Sequence, residues 1–315
     1  MSALFFPLLI ILVGMVVLLK SSEFTVVRVL RLAKHFDMPE YVTSFIAVGV
    51  IAILPELSIG INSALSGESN FGLGIVFGSN VADLTLIIGL VALLAPKITL
   101  HSEVIKKIWL LIGVVFLPII LLLDGEISRI DGIILLAGFF VYVFSITRTE
   151  HVHHFEDKKD PLFLDAIVLL FALAIMFVSG HFITEAAHDL SVGLALPIFF
   201  VGVILAIGTC MPELMFALQA AKRKHSELGF GDILGNVFAD CTLTIGIIAL
   251  IAPIKVENSV LVLSSGTSMI IALFILSLMF LHKKSIGKKH GLVLIALYII
   301  FLIVQFSIEN GNIFR

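Results

Sequence analysis

Four carboxylates stand inside stretches of the chain that are otherwise apolar. Glu56 lies in A-I-L-P-E-L, residues 52–57, and Glu213 lies in T-C-M-P-E-L, residues 209–214. Asp83 follows G-S-N-V-A, and Asp240 follows G-N-V-F-A. A carboxylate at the centre of a bilayer costs roughly 2.5–3.5 kcal/mol on insertion scales. No Lys or Arg stands inside the four surrounding apolar runs. The counter-charge must therefore come from a bound cation or from protons on the acids. Hard oxygen donors suit calcium, magnesium or sodium, whereas zinc or iron would favour His or Cys.

Further oxygens flank the acids. Ser79 and Asn80 precede Asp83 by about one turn, and Asn236 does the same for Asp240. Thr209 offers a hydroxyl, with Cys210 beside it. Pro55 and Pro212 each stand one residue before a Glu. A proline removes an N–H and kinks a helix. Upstream carbonyls, those of Ala206 and Thr209 among them, are expected to point at an ion. Protonated packing residues would be the plainer account of the acids, but that leaves their duplication unexplained.

The elements that position these residues follow from composition. The chain has 315 residues, is 59% hydrophobic and only 14% charged, with a mean hydropathy of +1.16. Apolar runs long enough to cross a hydrocarbon core of roughly 30 Å recur throughout. They lack the alternation of a transmembrane barrel. The expected class is an all-α polytopic membrane protein, with spans near 3–20, 41–66, 71–94, 106–123, 130–147, 162–180, 192–220, 229–252, 260–280 and 291–308. The first run lacks a basic flank before it and reads as a retained span rather than a signal peptide. The two cysteines, Cys210 and Cys241, imply no disulfide framework.

Basic residues orient these ten spans. Lys20, Arg28, Arg31, Lys34, Lys97, Lys106, Lys107, Arg148, Lys158, Lys159, Lys222, Arg223, Lys224, Lys283, Lys284, Lys288 and Lys289 fall on one side. Only Arg129, Lys255 and Arg315 fall on the other. The positive-inside rule then places both termini outside a cell membrane, extracellular or periplasmic. The polar stretch 151–160, with three histidines, reads as a hydrated cytoplasmic linker. Residues 181–189 read as an external loop.

The four acids belong to an internal repeat. Shifting the chain by 157 positions places Pro55-Glu56-Leu57 on Pro212-Glu213-Leu214, and Gly72, Gly74 and Gly78 on Gly229, Gly231 and Gly235. Asp83 falls on Asp240, and Ala95-Pro96 on Ala252-Pro253. Five spans per half is odd, so the second half enters the membrane reversed. The expectation is two inverted five-helix repeats, 1–147 and 162–315, joined by a linker at 148–161. Inverted repeats meet about an axis in the membrane plane, with the substrate site near the midplane.

P-E-L followed by G-S-N-V-A-D, duplicated and inverted over ten spans, resembles the calcium/cation antiporter superfamily, and within it the sodium/calcium exchangers. The similarity covers the whole chain in architecture and is densest at 41–96 and 198–253. Members typically read G-T-S-x-P-E and then G-S-N-(I/V)-x-(N/D) in each repeat. The resemblance implies alternating access, with Glu56 and Glu213 as central calcium ligands and Asp83 and Asp240 as a second pair. Thr209 would add its hydroxyl and backbone oxygen, Ser79 would help to ligate sodium, and the first and sixth helices would slide across the rest. Here Ala52 and Ile53 stand where Thr and Ser are usual, Cys210 replaces Ser, and Asn236-Val237 replaces Ser-Asn. The hydroxyls that would flank sodium are thus reduced.

The implied function is a secondary active antiporter, exporting Ca2+ in exchange for H+ or Na+. Like charges crowded in a low-dielectric interior favour retaining some protons, which a divalent cation would displace. A sodium-coupled exchanger of reduced stoichiometry, or one carrying Mg2+ or another divalent cation, remains the alternative. No resident cofactor and no nucleic-acid partner are expected. The partners are the bilayer and inorganic cations, and the unit is a monomer. A channel and an intramembrane aspartyl protease are the competing classes. Dependence of flux on a trans counter-ion separates an antiporter from a channel.

Overall fold

In lipid a chain must satisfy its own backbone hydrogen bonds, so long apolar runs become helices. A computed structural model describes residues 2–35, 53–95, 98–99, 102–146, 162–222, 226–256, 258–283 and 285–309. The first half holds α1 (Ser2–His35), α2 (Leu54–Leu65) and α3 (Ser69–Ala82), which runs through a π-helical turn (Asp83–Ile87) into α4 (Ile88–Leu94). β1 (Ile98–Thr99), α5 (Ser102–Leu121), β2 (Glu126–Ile127) and α6 (Arg129–Ile146) follow. The second half holds α7 (Leu162–Leu194), α8 (Ile198–Thr209), α9 (Met211–Lys222) and α10 (Ser226–Ala239). A second π-helical turn (Asp240–Thr244) leads into α11 (Ile245–Ile251), β3 (Ile254–Lys255), α12 (Ser259–Lys283), β4 (Ser285–Ile286) and α13 (Lys288–Glu309).

Among the described residues, seven helical stretches are long and apolar enough to cross a membrane. They are Leu4–Val29, Ser69–Leu94, Phe163–Leu194, Ile198–Lys222, Leu228–Ile251, Ser259–Phe280 and Lys288–Ile308. Their burial separates centre from periphery. Ser69–Leu94 is 89% buried and Leu228–Ile251 is 83% buried, against 28% for the stretches in α1 and α7. Phe6, Leu12, Phe163 and Phe171 on those outer helices are exposed, as befits a face turned to lipid rather than to water.

The central elements recur at the spacing of the sequence repeat. Each bound of α2, α3, the first π turn and α4, advanced by 157, gives the bound of α9, α10, the second π turn and α11. The pairings exchange between halves. β1 pairs antiparallel with β4 (Ile98 opposite Ile286), and β2 with β3 (Ile127 opposite Ile254). α4 packs on α13, as α11 packs on α6. A Cβ built on Gly89 would lie 3.0 Å from the Gly291 carbonyl oxygen, and one on Gly246 would lie 3.0 Å from that of Gly132. Glycine at these four positions lets the helix backbones approach closely. α1 lies along α7, and α5 along α12.

Three expected boundaries are corrected. α1 continues past residue 20 to His35, so Lys20, Arg28 and Arg31 ride on a helix rather than in a loop. α7 runs unbroken through 181–189, because that stretch contains neither Gly nor Pro. His181 and Glu185 form an i,i+4 pair on it at 3.5 Å. The expected span 192–220 is divided at Cys210. The linker expected at 148–161 and the first part of the span expected at 41–66 lie outside the described residues.

Candidate cation site

Two helix starts place the glutamates. α8 ends at Thr209, Cys210 adopts φ −77° and ψ 2°, and α9 begins at Met211. In the first half Ile53 adopts φ −91° and ψ 6°, and α2 begins at Leu54. These are equivalent positions, and both sit in the bridge region between helix and strand conformations. Pro55 and Pro212 therefore occupy the second position of a new helix, where a missing N–H leaves no bond unmade. Glu56 and Glu213 fall in the first turn, against the positive end of the helix dipole. In the second half this corrects the expected kink within one helix; in the first half the residues before Ile53 lie outside the described residues. Leu57 N–H donates to the Ile53 carbonyl at 2.8 Å, and Leu214 N–H to that of Cys210 at 3.1 Å, closing the first turn of each helix.

The carbonyl of Ala206, expected to be freed for an ion, is engaged. It accepts from Cys210 N–H at 3.3 Å and from the Thr209 hydroxyl at 2.9 Å, so both lone pairs have donors. Thr209 itself is fully buried and lies near Glu56.

The aspartates open the two π-helical turns. Each turn begins at the acid, Asp83 or Asp240. Such single-turn widenings recur at functional positions. The Ser79 hydroxyl lies 3.2 Å from Asp240 Oδ2 and 3.0 Å from the Val76 carbonyl, a bifurcated donor linking the halves. Thr244 Oγ1 donates to Asp240 Oδ1 at 3.0 Å. Asn236 Nδ2 donates to Glu213 Oε1 at 2.9 Å. Asn80 Nδ2 donates to Cys241 Sγ at 3.4 Å, and the Cys210 thiol donates to the Ser79 carbonyl at 3.6 Å. The Cys210 thiol also lies within reach of Asp83.

Of the groups expected to act together, hydrogen bonds join Asp240 to Ser79 and Glu213 to Asn236, while Thr209 lies near Glu56 and Cys210 near Asp83. Sequence reasoning missed Cys241, which neighbours Asp240 but carries no signal of its own. It also missed Thr244, although an oxygen one turn beyond Asp240 could have been noticed.

Five side-chain oxygens within this set have no donor. They are Glu56 Oε2, Asp83 Oδ1, Glu213 Oε2, Asn80 Oδ1 and Asn236 Oδ1. Their residues are at most 5% exposed. None of the ion pairs among the described residues involves the four acids. An unpaired buried acceptor costs about 1–3 kcal/mol, and a charged one more. Oxygens drawn from both halves therefore share one deficiency, which is positive charge. Among the described residues no three His, Cys, Asp or Glu side chains gather closely enough to hold a metal ion unaided. A cation here would draw on amide and hydroxyl oxygens as well as carboxylates.

A polytopic helical fold that encloses acceptor oxygens with no cationic partner among the described residues fits a membrane cation transporter. The comparisons with known proteins identify its family. The sodium/calcium exchanger protein family matches the chain twice, over residues 6–148 and 164–307. An uncharacterized membrane protein of Methanocaldococcus jannaschii, MJ0091, is 26% identical, with 92% of this chain and 94% of that protein covered. A structure of the sodium-calcium exchanger NCX_Mj, soaked with 10 mM Na+ and no Ca2+, is 25% identical with a TM-score of 0.62, covering 94% of this chain and 98% of that one. The H+/Ca2+ exchanger CAX shares the fold, with a TM-score of 0.78 at 18% identity, over 98% and 85% of the two chains. The chain belongs to the sodium/calcium exchanger family, within the calcium/cation antiporter superfamily. It is a secondary active cation antiporter, and its work is transport rather than enzymatic catalysis.

Proposed function

We propose that this protein exports Ca2+ in exchange for H+ or Na+ by alternating access, through a site built from Glu56, Glu213, Asp83, Asp240, Thr209, Ser79, Asn80, Asn236 and Cys210. The observation that carries this reading is the set of five donor-free, buried oxygens contributed by both halves. Carboxylate and amide oxygens suit calcium, which accepts irregular geometry, better than magnesium, which demands near-octahedral coordination. The acids can hold protons when the cation leaves, so that one site serves both ions in turn.

The architecture that supports this is two inverted five-helix repeats, 1–147 and 162–315, joined by 148–161, with ten spans in all. In its favour are the constant offset of 157 between central elements, the exchanged strand pairs and the twofold match of the family at 6–148 and 164–307. Both termini lie outside the plasma membrane in this reading, as the basic residues require, and the monomer is the transporting unit.

A sodium-coupled exchanger has its own support, since the Ser79 hydroxyl lies at Asp240 and Thr209 at Glu56. NCX_Mj is named for sodium and CAX for protons. Calcium uptake into proteoliposomes under an imposed sodium, potassium or pH gradient tests both. The expected result is calcium movement driven by a pH or a sodium gradient and abolished in Glu213→Gln. Calcium flux that needs no counter-ion would mark a channel and overturn the proposal.

A further inference from the structure

Resting on the antiport reading, we propose that Asp232 is an outer cation-binding residue, a station through which the cation passes between the cytoplasmic surface and the enclosed site.

Asp232, Asn236 and Asp240 stand at i, i+4 and i+8, on one face of α10 and the turn that continues it. At 1.5 Å per residue, Asp232 lies about 9 Å from the start of α10 and about 12 Å short of Asp240. Helical side chains lean toward the N-terminus of their own helix. Asn236 thus leans toward Asp232. Its Nδ2 is committed to Glu213, and its Oδ1 has no donor although the residue is 4% exposed. The carboxylate of Asp232 is within electrostatic range of both Asp83 and Glu213. It differs from them in being only partly buried. A chain of acceptors therefore leads from a partly exposed acid, through an unpaired amide oxygen, to the enclosed carboxylates.

Among the described residues, the other half shows no such path. The position equivalent to Asp232 is Ile75, which is fully buried. Its neighbour Gly74 is closed off by α8, where a Cβ would meet the Phe199 carbonyl oxygen at 2.2 Å. Gly231, beside Asp232, is exposed, and a Cβ there would meet nothing within 4 Å among the described residues. The repeat is thus asymmetric at this point. An acid stands on the half of α10 nearest Lys222, and an apolar side chain stands on the matching half of α3. A fixed negative charge at the mouth of a low-dielectric passage concentrates cations and speeds their capture, an effect that salt screens.

The experiment measures calcium transport separately at each face, in right-side-out and inside-out vesicles. It compares the full-length protein with Asp232→Asn and Asp232→Glu. Asp232→Asn is expected to raise the calcium KM about five-fold at the face that carries Lys222. The opposite face should stay within two-fold. Asp232→Glu should restore the wild-type value. Choline chloride at high concentration should shrink the difference between wild type and Asp232→Asn. Unchanged KM in Asp232→Asn, or an equal rise at both faces, overturns the inference while wild-type antiport stands. A wild-type protein that moves no calcium overturns the antiport reading and this inference with it.

Discussion

The hydroxyl of Ser79, on α3 of the first half, lies 3.2 Å from Asp240 Oδ2, at the π-helical turn of the second. The contact ties together two acid-bearing segments, 161 residues apart, across the centre of the molecule. Removing the hydroxyl in Ser79→Ala leaves Asp240 with Thr244 as its remaining hydroxyl donor. A hydrogen bond to a charged group contributes about 1.5–3 kcal/mol. Calcium affinity should fall about ten-fold, read as the KM for uptake in proteoliposomes, while Ser79→Thr should retain most of it.

Asn236 makes a different prediction, because it serves the site with both ends of its amide. Its nitrogen supplies Glu213 Oε1, and its oxygen is one of the five without a donor. Asn236→Leu keeps the volume and removes both functions. It leaves an additional buried carboxylate oxygen unpaired, at a cost of about 1–3 kcal/mol. The thermal midpoint in detergent without calcium should drop by several degrees, and calcium should no longer raise it by the wild-type increment.

The two halves should answer differently to the same substitution. Gly74→Ala would place a Cβ 2.2 Å from the Phe199 carbonyl oxygen, so α3 and α8 must part. Overpacking of this kind costs about 1–3 kcal/mol. At the equivalent Gly231 an added Cβ meets nothing within 4 Å among the described residues, and alanine is the better helix former. Melting curves should show Gly74→Ala lower than wild type and Gly231→Ala equal to it or higher.

These contrasts show what could be read in advance and what could not. The helices, the repeat and the four acids were legible, because a carboxylate in an apolar run and a duplicated Pro-Glu are patterns of residue type. The break at Cys210 and the helix start after Ile53 were not, since neither residue breaks a helix by itself. The proline two positions later fits a first helical turn as well as it fits a kink. The π-helical turns at Asp83 and Asp240 have no local signature. Residues 181–189 looked like a loop because they are charged, yet charge alone does not end a helix that contains neither Gly nor Pro there. Ala206 was chosen for its carbonyl, and only the fold revealed two donors already bound to it.

Asp165 on α7 is 5% exposed and pairs with Arg28 and, at 3.5 Å, with Arg31, both on α1. The pair holds the two outer helices to each other. Breaking a buried pair by removing one partner leaves charge uncompensated and costs on the order of 3 kcal/mol. Asp165→Asn should lower the thermal midpoint and weaken the bond between α1 and α7. Cysteines placed across α1 and α7 should then cross-link more slowly than in the wild-type background.

The central claim is that the donor-free oxygens from the two halves form one cation site. Equilibrium binding of radiolabelled calcium to the purified protein tests it most directly, comparing wild type with Glu56→Gln, Glu213→Gln and the double variant. Saturable binding in wild type, weakened at least ten-fold by either substitution and absent in the double variant, is the expected result. Calcium binding that survives undiminished in the folded double variant would contradict it.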